Sequence, residues 1–107
     1  MLNLKSLKRC SMMIGCNDAS MQNDQSQATK EAILKGLQDL GIDGANMSEA
    51  FGVWKGSTEK AIRLEIINNW LADDEFNDLI GQLYSYLLKE LNQEEIAVIV
   101  DSVISNL

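Results

Sequence analysis

The chain has 107 residues, 46% hydrophobic and 23% charged, with sixteen acids against nine bases, a net charge of −7, and neither histidine nor proline. A chain of this length forms one domain whose core buries roughly two thirds of the unfolded surface, with no need of a metal or disulfide. Without histidine, Ser-His-Asp and Cys-His catalysis and every imidazole zinc site are excluded, and two cysteines cannot build a four-thiolate centre.

In chain order, residues 1 to 9 are basic, residues 10 to 15 are short and mostly apolar, and Cys16 opens a polar run of Asn, Asp, Ser and Gln that lasts to residue 27. Ile14, Gly15 and Cys16 stand where a lipobox has a branched or small residue, a glycine or alanine, and the lipidated cysteine. The segment resembles a bacterial lipoprotein leader, although Met13 takes the usual leucine position and the apolar run of about six residues is shorter than the roughly 7–15 of a secretory segment. The resemblance implies lipidation of Cys16 and an envelope location. Read from the residues alone, positions 1 to 25 are a flexible N-terminal segment of a cytoplasmic protein, and residues 26 to 107 are a single acidic domain. Cys10 and Cys16, with no partner pair, read as free thiols.

Ala28, Ala32, Ile33, Leu37 and Leu40 fall near helical spacing, and Gly41 followed by Ile42 fits a left-handed helix end, which predicts a helix over 27–40. Between 47 and 69 two patterns compete. Phe51 and Val53 alternate with Ala50, Gly52 and Trp54, and Ile62, Leu64 and Ile66 alternate with Arg63 and Glu65 across a turn from Lys55 to Glu59 that contains Gly56 and Ser57, a hairpin signal; as a helix, Ser57 would cap a face of Ile62, Ile66 and Trp70. The hairpin is the reading taken. Asp73 is expected to cap a helix over 73–91, its first turn holding Asp74 and Glu75 and its stripe formed by Phe76, Leu79, Ile80, Leu83, Leu87 and Leu91. The β-branched run 96–100 predicts a buried strand, with a turn at Asp101 and Ser102 before a short last strand. The expected class is α+β, a small antiparallel or mixed sheet, made of the hairpin and the C-terminal strand, packed against two helices.

Function is less legible. Residues 1 to 25 carry a net +1, which leaves −8 on the remainder, and the six bases there are scattered from Lys30 to Lys89, so direct nucleic-acid binding is not expected. Asp73, Asp74, Glu75 and Asp78 form a candidate acidic surface; their spacing is not that of a calcium loop, and a helix N-terminus is reason enough for them. No glycine spacing matches a phosphate loop, no apolar run approaches a membrane span, and no catalytic, metal or cofactor residues are assigned. The candidate interface residues are Trp54, Trp70 and Tyr86, the last expected to face away from the stripe. The first reading is a small non-catalytic domain that binds a protein partner or itself. The alternatives are a phage or mobile-element inhibitor of a nucleic-acid-handling protein, acting through its acidic surface, and a lipid-tethered envelope protein.

Overall fold

The computed structural model describes residues 1–16, 24–93 and 95–107. The elements run β1 (Lys5–Gly15), α1 (Ser26–Asp39), β2 (Asn46–Trp54), β3 (Ser57–Asn68), α2 (Asp73–Glu90) and β4 (Ala97–Ser105). They build one four-stranded sheet in the order β2-β3-β1-β4, with every neighbouring pair antiparallel. Two β-α-β units are therefore interlocked, the strand of one lying between the two strands of the other, the ferredoxin-like arrangement. The α+β class and the hairpin hold, and the sheet is antiparallel rather than mixed.

β1 overturns the expectation for the N-terminus. Cys10, Met12, Ile14 and Cys16 alternate with Arg9, Ser11, Met13 and Gly15, and the first four are buried. This is the period of a strand with one covered face. Cys10 lies opposite Ile66 and Val100, Met12 opposite Leu64 and Val98, and Ile14 opposite Ile62, so β1 joins the hairpin to β4. The folded unit thus begins well before residue 26. Residues 17 to 23 of the expected flexible segment lie outside the described residues.

The hairpin turns through Lys55 and Gly56, both at positive φ, as a tight two-residue connection with right-handed strand twist requires. Helix α1 ends as its sequence predicts: Gly41 takes φ 71°, the Ile42 amide bonds the Leu37 carbonyl at 2.9 Å, and Ile42 packs back into the core. Helix α2 lays Phe76, Ile80, Leu83 and Leu87 on the core, with Leu79 and Leu91 at its margin. Its acids differ from expectation in one respect. Ala72, not Asp73, occupies the cap position and no side chain bonds from it, so the acids serve from within the first turn, where Asp74 accepts from the Glu75 amide at 2.9 Å and all three face the positive end of the dipole.

The C-terminal reading also needs correction. Residues 97 to 105 form one unbroken strand, because Asp101 sits directly opposite Arg9, whose Nε and Nη2 donate to its two carboxylate oxygens at 3.0 and 2.7 Å. The residue expected to turn the chain instead locks it in register. Nor is the strand buried: β4 is an edge, with Ile99, Val100 and Ile104 exposed.

Candidate functional site

The connection from β3 to α2 is held by Asn68, which is buried at the end of its strand. Its Nδ2 donates to the Leu71 carbonyl at 2.8 Å, and its Oδ1 accepts from the Leu71 and Trp70 amides at 2.9 and 3.3 Å. A buried amide with both ends satisfied fixes the loop without a regular element. What it fixes is Trp70, whose ring meets Phe76 edge-on at 6.1 Å while the side chain stays 45% exposed.

Two clefts share Trp70 in their walls. One, of about 430 Å³, is lined by Ser6, Lys8, Asn68, Asn69, Asp73 and Ser102 together with Trp70. The other, of about 590 Å³, lies between Trp70 and the loop after α1, with Asp43, Gly44, Glu65, Ile67 and Asn69 in its walls. The Asn69 amide has no hydrogen-bond partner among the described residues. Glu65 belongs to an ion network on the open sheet face, 3.6 Å from Arg9 and 4.0 Å from Arg63. That network holds the Asp101 carboxyl below its ordinary range, chiefly through the hydrogen bond from Arg9.

Apolar exposure collects on the two outer strands. On β2, Phe51 and Val53 are 73% and 74% exposed, and on β4 Ile99 and Ile104 are 63% and 69% exposed. The register places Phe51 and Val53 in line with Ile62, Leu64 and Ile66, on the face the helices cover elsewhere, so the hairpin end extends past that cover.

The residues singled out from sequence do not form one site. Trp70 lines both clefts. Trp54 is the last residue of β2, and its side chain lies outside what is described. Tyr86 does not face away: its ring rests on Gly36 of α1, where an added Cβ would lie 2.9 Å from two ring atoms. Asp73, Asp74, Glu75 and Asp78 are exposed along the start of α2, and among the described residues no group of three or more His, Cys, Asp or Glu could hold a metal. Cys16 is buried at the end of β1, its thiol bonding the Ile14 carbonyl at 3.8 Å. Cleavage before it would remove the strand that joins the two halves of the sheet. Burial pushes the Cys10 thiol up to about 11 and raises that of Cys16, so neither is poised as a nucleophile. Asn68, Asn69 and the loop of Asp43 and Gly44 were missed in sequence, because a single amide before a tryptophan carries no periodic signal.

No family model and no curated protein matches the chain. Solved structures do. A phage SAM lyase in complex with S-methyl-5′-thioadenosine is 18% identical, covers 94% of this chain and 90% of its own, and superimposes with a TM-score of 0.72. CPII, a nitrogen regulatory PII-like protein from Thiomonas intermedia K12 bound to ADP, AMP and bicarbonate, is 15% identical over 96% of both chains, with a TM-score of 0.60. CutA from Synechococcus elongatus PCC7942 is 8% identical, over 97% of this chain and 86% of its own, with a TM-score of 0.59. The chain has the α+β fold of PII-like proteins. Among the described residues no helix is long and apolar enough to cross a membrane.

Proposed function

We propose that this protein is a small self-associating domain that binds an adenosine-bearing small molecule and has no catalytic machinery of its own. The observation that carries self-association is the β4 edge. Along its nine residues alternate positions turn their backbone groups outward to a neighbour, and the strand's single charge, Asp101, is neutralised by Arg9. Edge strands that stay solitary are blunted with lysine, proline or short length, and β4 has none of these. Since β2 forms the opposite edge, each copy carries two strand edges that a second copy can meet. The ligand class is supported by the PII-like protein holding ADP and AMP and by the lyase holding S-methyl-5′-thioadenosine.

Light scattering at micromolar concentration should give a multiple of 11.9 kDa, and Ile99→Lys on the exposed edge should return the mass toward one chain. A second reading, enzymatic cleavage of SAM, is favoured by the TM-score of 0.72 over nearly the whole length of the lyase. Incubation with SAM separates the two. Stoichiometric binding without turnover fits the binding domain; steady consumption of SAM replaces it with the enzyme.

A further inference from the structure

We infer that the cleft between Trp70 and the loop after α1 binds the adenine ring of an unphosphorylated nucleoside. The inference rests on the small-ligand reading above and adds the place and the charge class. At about 590 Å³ the cleft is within the roughly 300–1,000 Å³ of small-molecule sites. Its wall offers the two things an adenine needs. Trp70 presents a half-exposed aromatic surface already fixed by Asn68 and Phe76, so stacking a base on it orders nothing new. Beside it the exposed Asn69 lines the same wall, and its amide can accept from the adenine N6 amino group while donating to N7. Ile67 supplies apolar contact to the same space.

Charge then selects among adenosine compounds. The acids in the wall are Asp43 and Glu65, and no lysine or arginine lines it among the described residues. Arg9 and Arg63 lie 3.6 and 4.0 Å from Glu65, and Arg9 is bound to Asp101 as well, so Asp43 is the wall's acid with no ion pair among the described residues. Phosphates are held by bidentate arginine, by lysine or by helix N-termini, and carboxylates repel them. A ribose suits Asp43 instead, because a carboxylate accepts hydrogen bonds from its hydroxyls as in dinucleotide sites. The occupant is a neutral or cationic nucleoside, with S-methyl-5′-thioadenosine as the neutral probe.

Isothermal titration of the full chain with S-methyl-5′-thioadenosine, inosine and ADP, repeated for Trp70→Leu and Asn69→Leu, tests this, with far-UV circular dichroism confirming that both variants fold. S-methyl-5′-thioadenosine should bind the natural chain and lose about tenfold or more in affinity to Trp70→Leu through lost stacking. Asn69→Leu should cost a similar factor, inosine should bind more weakly because its O6 cannot donate, and ADP should bind more weakly still. Binding that survives both substitutions at full strength overturns the site and leaves the small-ligand reading standing. ADP binding tighter than S-methyl-5′-thioadenosine overturns the charge argument. Failure of all three ligands on the natural chain overturns the site and the small-ligand reading together.

Discussion

Gly36 shows how one absent side chain sets the distance between two helices. It is buried in the middle of α1, where alanine would ordinarily gain about 1 kcal/mol in helix propensity. Here the new methyl would press on the Tyr86 ring at 2.9 Å and on Leu83 Cδ1 at 3.1 Å, and overpacking of that kind costs about 1–3 kcal/mol. Gly36→Ala should therefore be destabilising in the natural chain but neutral or stabilising beside Tyr86→Ala. A denaturant double-mutant cycle measures the sign change, and additive effects would show that the ring does not rest on Gly36. The acid-side stability has residue-scale causes too. The Asp24 carboxyl is lowered to about 2 by hydrogen bonds from Ser26 and by Lys60, and Asp101 is lowered chiefly by the hydrogen bond from Arg9. Both folded values lie below the ordinary aspartate value of about 3.9, so their contribution is whole above that pH and is lost as pH falls through the folded values. Unfolding midpoints should drop between about pH 4 and pH 2, and Asp101→Asn should flatten that drop.

At the scale of elements, legibility followed how much local pattern each element carries. The α2 stripe and the Gly41-Ile42 helix end state their structure within a few residues, and the alternation of residues 61 to 66 was enough to separate hairpin from helix. β1 has an equally clean alternation from Arg9 to Cys16, but basic residues before it and polar residues after it also fit a leader, and only the pairing with β3 and β4 distinguishes the two. β4 failed differently. Asp101 reads as a turn residue until Arg9, 92 positions away, is seen opposite it. No local rule sees such a partner. The site had the same obstacle, since Asp43, Glu65 and Trp70 come from separate segments, and only Trp70 stood out as an exposed-aromatic candidate. The test of the corrected N-terminus is truncation. A chain starting at Ser26 lacks Cys10, Met12, Ile14 and Cys16 and leaves β3 and β4 without their shared neighbour. It should show no cooperative unfolding transition, whereas native-like circular dichroism and a sharp transition would return residues 1 to 25 to the role of a dispensable arm.

At the scale of the whole molecule, the helices cover the middle of the sheet and leave apolar residues exposed at its margins. The body is elongated, 48 × 27 × 20 Å, with the apolar residues of β2 and β4 at the two edges of the sheet. A net charge of −7 keeps such a surface soluble and, by mutual repulsion, restricts association to contacts where apolar area or strand pairing outweighs it. Raising the salt concentration should accordingly strengthen self-association rather than weaken it, in contrast to a complex in which the acidic surface occupies a basic groove. The most direct measurement is residue-resolved amide exchange along β4, comparing the natural chain with Ile99→Lys at the same concentration. As an edge strand β4 turns about half of its amides away from β1, and these have no partner among the described residues. Self-association through this edge predicts that those outward amides exchange slowly in the natural chain and quickly in the variant, while the amides bonded to β1 stay protected in both. Fast exchange of the outward amides in the natural chain at concentrations of tens of micromolar and above would contradict it.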